Sequence, residues 1–112
     1  MNELRVTNKY HGRWPKRRHV NIMRGTPLGN PFVIGQDGTR EEVINKYKDW
    51  LYEQLKLDNV PVIQALEGIA ALVLDNTGEP VCLECCCSPK ACHGNVIVEL
   101  VHEAIASTPF GG

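Results

Sequence analysis

Cysteine and histidine crowd into one stretch, Cys82 to His93, with cysteines at 82, 85, 86, 87 and 92. Thiolate sulfur and imidazole nitrogen are groups suited to nucleophilic attack, proton transfer or capture of a soft metal. On an extended segment Cys85 and Cys87 share one side and Cys86 takes the other. Cys92 and His93 fall at the expected start of a helix, where unpaired backbone donors and the helix dipole favour a negative group. Three chemistries follow. In the first, Cys92 is a nucleophilic thiolate and His93 carries the proton. In the second, Cys85, Cys87, Cys92 and His93 hold zinc, although adjacent Cys92 and His93 are awkwardly spaced to share one ion. In the third, the cysteines are small buried hydrophobes and the helix start binds an anion through its backbone.

A second stretch, Arg24-Gly-Thr-Pro-Leu-Gly-Asn-Pro-Phe32, has the composition of a constrained loop. Arg24 offers a planar fork for phosphate or carboxylate. Gly25 and Gly29 permit close backbone approach or positive φ, Pro27 and Pro31 stiffen the chain, and Asn30 carries both a donor and an acceptor. The plainer alternative is a rigid turn whose Arg24 pairs with a structural carboxylate. The segment is neither a Walker loop nor a dinucleotide fingerprint, because Gly-Lys-Ser/Thr and GxGxxG are both missing. Upstream, Arg13-Trp-Pro-Lys-Arg-Arg-His19 combines charge with an aromatic ring. That suits nucleic acid, or simply a solvated loop.

The elements that must position these groups can be read from periodicity. Leu4–Thr7 and His19–Met23 read as strands, with Val20 and Ile22 on one face. Val33–Ile34 resumes an extended path and Gln36–Gly38 turns. Thr39 and Glu42 match a capping box at the start of a helix whose buried face is Val43, Ile44, Tyr47, Trp50, Leu51 and Leu55. Lys56 to Asn59 breaks it. Pro61 suits the first turn of a second helix, with Ile63, Leu66, Ile69, Ala70 and Val73 as its buried stripe. Asp75–Gly78 turns, Pro80–Cys85 is a buried strand with Cys82 in the core, and Ser88–Ala91 is a loop. His93–Ala106 is a third helix, in which His102 has no assigned role, and residues 108–112 fray. The order strand, strand, helix, helix, strand, helix predicts an α/β domain, a small, mostly parallel Rossmann-like sheet flanked by helices. In such sheets ligands sit beyond the carboxyl ends of the strands. Both unusual loops follow expected strands, so they should meet at one crevice.

Bulk properties narrow the class. A chain of 112 residues suits a single domain over 1–112. Net charge is −1, although Lys9, Arg13, Lys16, Arg17, Arg18 and Arg24 concentrate positive charge near the start, where a phosphate can be attracted. An odd, tightly clustered cysteine set is not a secreted disulfide framework. No apolar signal core or membrane-length run is visible, so a cytoplasmic location and no membrane partner are expected.

Taken in order, Arg24-Gly-Thr-Pro-Leu-Gly-Asn-Pro-Phe32, Gly38-Thr-Arg-Glu-Glu-Val43 with Tyr47, and Cys85-x-Cys87-x-Pro89-x-x-Cys92-His93-Gly94 resemble the domain of unknown function 4326 family, common in bacteriophages and bacteria. The likeness covers roughly residues 18–101 and implies a small α/β domain, with Arg24, Gly29, Asn30, Pro31, Cys85, Cys87, Pro89, Cys92, His93 and Gly94 as signature positions. It implies no activity. One departure is Cys86, where the family often has Trp. The leading expectation is therefore a crevice for a nucleotide-like or phosphorylated ligand, bound by Arg24, Gly25, Gly29, Asn30, Pro31 and Gly94. If it is an enzyme, Cys92 and His93 would act in group transfer or hydrolysis. The alternatives are a zinc-stabilised module that binds protein or nucleic acid, and a phage protein that sequesters a host nucleotide signal. A homo-oligomer is compatible with each.

Overall fold

Val81-Cys-Leu-Glu-Cys85 is almost uninterrupted in its apolar character, the signature of a strand covered on both faces at the centre of a parallel sheet. The computed structural model, which describes residues 2–8, 19–75, 77–85 and 92–107, places it there. Strand β1 (Leu4–Asn8) and strand β2 (His19–Asn21) flank strand β3 (Val81–Cys85), both parallel to it, in the order β1-β3-β2. Val6 and Val20 both register against Leu83. Side-chain alternation then gives the sheet one apolar face, with Leu4, Val6, Val20, Val81, Leu83 and Cys85 in or against the core. The opposite face is polar. Register brings Arg5, Cys82 and His19 side by side there, and His19 Nδ1 lies 3.0 Å from Glu84 Oε2.

Three helices complete the α/β domain: α1 (Arg40–Lys56), α2 (Val60–Leu74) and α3 (His93–Ser107). The six elements follow in the expected order. Helix α1 starts at a capping box: Thr39 Oγ1 accepts from the Glu42 amide at 3.3 Å, and the Glu42 carboxylate accepts from the Thr39 amide at 3.0 Å. Its inward face is Val43, Tyr47 and Leu51, all buried. Asp58, with φ of 55°, turns the chain before α2, and the two helices meet at 104°. No single described helix is long and apolar enough to cross a membrane. Buried Asn2 ties the chain start to the end of α2. Its backbone amide donates to the Val73 carbonyl at 2.7 Å, and its side-chain amide donates to the Leu72 carbonyl at 2.8 Å. Two of the carbonyls that a helix end leaves unpaired are thereby satisfied.

Three local expectations are corrected. Val33–Ile34 is not extended: the Gln36 and Asp37 amides donate back to the Val33 carbonyl at 3.1 and 2.8 Å, and the Asp37 carboxylate accepts from the Val33 amide at 2.8 Å. Gly35 and Gly38, both at positive φ, let the chain close this turn. Strand β2 ends at Asn21 rather than Met23, because the Asn21 side chain accepts from the Met23 amide at 2.8 Å and diverts the chain. The stripe of α2 begins at Val62, not Ile63, since 62, 66, 69 and 73 keep the helical period. The basic run 13–18, the loop 88–91 and the tail 108–112 lie outside the described residues.

Candidate functional site

All the described strands point the same way, so their carboxyl ends share one edge of the sheet. Cys85 ends β3 there, and Met23 and Arg24 lie just beyond β2. A cavity of about 510 Å³ opens at this edge. Its wall takes Met23, Arg24, Asn30 and Phe32 from the first loop, and Cys85, Cys92 and His93 from the second motif. Val33 and Ile34 come from the turn, and Arg40, Val43 and Ile44 from the first turns of α1. The two motifs read in the sequence thus meet at one cavity, of a size common for small-ligand sites.

The loop 24–32 is built to hold its shape. Thr26 donates its amide and its hydroxyl to the Met23 carbonyl, at 3.1 and 2.7 Å, and the Gly29 amide donates to the Thr26 carbonyl at 3.0 Å. Leu28 is buried in the core, and its carbonyl accepts from the Tyr47 hydroxyl at 2.7 Å. Asn30 Oδ1 accepts from the Phe32 amide at 2.9 Å, which spends its acceptor inside the loop. Arg24 is exposed and reaches the Phe32 carbonyl at 3.4 Å.

His93 opens α3 and is 8% exposed. Its Nε2 lies 2.6 Å from the Ile22 carbonyl, which assigns the proton to Nε2 as donor. Its ring meets that of Tyr47 edge-on, centroids 4.9 Å apart. Burial pushes the His93 pKa below its ordinary value. The bond to Ile22 opposes that shift and the Arg24 charge adds to it. The imidazole is therefore neutral at pH 7. Burial also pushes the Tyr47 hydroxyl well above its ordinary range.

Cys92 occupies the capping position before His93, and its sulfur accepts from the Gly94 amide at 3.3 Å. Cys85 Sγ lies 3.3 Å from Cys92 Sγ, and both residues are buried. Cys82 is also buried but sits on the other face of β3. Cys87, proposed with Cys85, Cys92 and His93 for zinc, lies outside the described residues, among which no three His, Cys, Asp or Glu side chains cluster as a metal set.

Four residues proposed as ligand contacts lie off the cavity wall. Gly25 and Pro31 are exposed, Gly25 with φ of 95°. A Cβ at Gly29 would lie 2.6 Å from the Met23 carbonyl oxygen, and one at Gly94 would lie 2.9 Å from Ile22 Cδ1 and Val6 Cγ2. These glycines allow close approach within the protein itself. Arg40 was not anticipated from the sequence. Its one signal there is a cation at the first position of a helix, where the dipole disfavours positive charge.

The family described as Domain of unknown function (DUF4326) matches over residues 6–103. The chain is also similar to the "Uncharacterized 12.4 kDa protein in nrdA-td intergenic region" of Enterobacteria phage T4. The two are 33% identical over 101 residues, covering 88% of this chain and 77% of the relative. No solved structure matches significantly.

Proposed function

The chain belongs to the DUF4326 family, whose description assigns no activity, and from the chemistry of its cavity we propose that it binds a small anionic ligand of nucleotide or related phosphorylated type. One observation carries this reading. The described wall holds two guanidinium groups, Arg24 and Arg40, and no carboxylate. Guanidinium forks match phosphate oxygens in pairs, so these two groups favour an anion. Phe32, Val43 and Ile44 supply an apolar flank for a base or similar ring. The starts of α1 and α3 both contribute to the wall, and their dipoles have the sign that favours negative charge. A parallel sheet with its ligand at the carboxyl edge is the Rossmann-like part of this proposal.

Binding is favoured over turnover. The Nε2 proton of His93 is committed to the Ile22 carbonyl. The test is calorimetric titration of the reduced protein with nucleoside mono-, di- and cyclic phosphates against the matching nucleosides. Phosphorylated forms are expected to bind and nucleosides to fail, with affinity falling as salt rises. Equal binding of nucleosides, or no binding across the panel, would overturn the proposal.

A further inference from the structure

The binding reading leaves two thiols in the cavity wall without a role. Cys85 and Cys92 come from the end of β3 and the start of α3, and their sulfurs lie 3.3 Å apart. A disulfide bond is about 2.05 Å long, so the sulfurs need close by only about 1.2 Å. The two differ in chemistry. Cys92 Sγ accepts a backbone N–H at a helix start, and both features stabilise negative charge on sulfur. Cys85 has no such donor among its described contacts and stands beside it as a second thiol. Both are buried, at 1% and 3% exposure, and both line the cavity.

We propose that Cys85 and Cys92 form a thiol–disulfide couple that reacts, through the cavity, with an anionic low-molecular-weight disulfide. Arg24 and Arg40 in the same wall attract the carboxylates of such a reagent. The Cys92 thiolate attacks one sulfur of the small disulfide. A mixed disulfide forms, and the other half leaves as a thiolate that takes up a proton. Cys85 then attacks Cys92 Sγ and gives its proton to the second departing thiolate. Two protein thiols are oxidised to one disulfide, and one small disulfide is reduced to two small thiols. The product withdraws the Cys92 sulfur from free thiol chemistry and reshapes the wall between β3 and α3. The inference requires the cavity and holds whether or not a nucleotide is its ligand.

The experiment uses the full chain, fully reduced and then exposed to oxidised glutathione, with peptide mapping by mass spectrometry without reduction. Cleavage after Lys90 separates Cys85 from Cys92. With Cys86→Ser and Cys87→Ser, the peptide ending at Lys90 keeps Cys82 and Cys85, and fragmentation between them assigns the bridge. The expected product joins the Cys85 peptide to the Cys92 peptide and is two hydrogens lighter. Adding Cys85→Ser should stop the reaction at a glutathione adduct on Cys92. Cys82, buried on the opposite sheet face, is the internal control, and Cys92 should react at least about tenfold faster. Absence of the 85–92 link, or reaction of Cys92 no faster than Cys82, overturns the proposal. If the serine variants fail to fold by circular dichroism, fragmentation of the linked peptides from the unaltered chain gives the same decision. Calorimetry on reduced protein reports anion binding separately, so failure of either idea is distinguishable from failure of the other.

Discussion

The Tyr47 hydroxyl donates to the Leu28 carbonyl at 2.7 Å, so the buried face of α1 holds the middle of the loop that carries Arg24 and Asn30. Leu28 sits in the core, where a carbonyl that loses its donor is costly to leave unpaired. Tyr47→Phe keeps the ring and removes the bond. It is expected to cost about 1–2 kcal/mol in urea denaturation and to weaken ligand binding by loosening the loop. Unchanged stability would show that the loop is held by its own turns alone.

His93 couples stability to pH chiefly through its burial, which disfavours the charged ring. An unfolded histidine titrates near its ordinary value of 6.5 and takes up a proton that the folded one resists. The contribution is therefore complete above about pH 6.5 and declines as pH falls below it toward the lowered folded value. His93→Gln retains a side-chain donor for the Ile22 carbonyl and cannot titrate. Denaturation midpoints from pH 7 to 5 should fall more steeply for the unaltered protein than for the variant. Parallel profiles would place the acid sensitivity elsewhere.

Several features of this molecule are visible in the sequence because their causes are local. Thr39 and Glu42 form the capping box their spacing predicts, since both partners lie within one turn. Val81–Cys85 is a central strand because both its faces must be covered. The meeting of the two loops follows from strand direction alone, because parallel strands put their carboxyl ends at one edge. Features with non-local causes stay hidden. The partners of Asn2 lie 70 or more residues away, at Leu72, Asp75 and Thr77. The contact between Cys85 and Cys92 depends on how α3 returns to the sheet. Val33–Ile34 has the residue types of a strand, yet the Asp37 carboxylate and two positive-φ glycines fold it into a turn. Arg40 reads as an ordinary helix residue until α1 is docked beside the Arg24 loop.

The glycines divide by what surrounds them. At Gly29 a Cβ would press on the Met23 carbonyl and, at 2.9 Å, on Arg24 Cα, both backbone atoms that cannot swing aside. Gly94 would press on Val6 and Ile22 side chains and lever α3 from the sheet. Gly68, on an exposed part of α2, has open space around it. Gly94→Ala should cost about 1–3 kcal/mol, and Gly29→Ala should cost at least as much. Gly68→Ala should gain about 0.5–1 kcal/mol by raising helix propensity. Thermal and urea unfolding of the three variants check the order. A neutral Gly94→Ala would mean that α3 has slack against the sheet.

Arg40 offers the sharpest separation of binding from folding. It stands at the first position of α1, where the helix dipole opposes a cation. Glu41 and Glu42 in the same turn have the sign the helix prefers. Arg24 is exposed, and its one described bond, to the Phe32 carbonyl, is long at 3.4 Å. Arg40→Ala and Arg24→Ala should each leave unfolding free energy within about 0.5 kcal/mol of the parent. Each should also weaken anion binding by about 1.5–3 kcal/mol, or more than tenfold, if its guanidinium contacts the ligand. The double variant should lose more than either alone and lose most of the salt dependence, because these two groups are the cations of the described wall. Calorimetric titration at two salt concentrations decides it: variants that bind the anion as tightly as the parent would show that the positive wall serves another purpose.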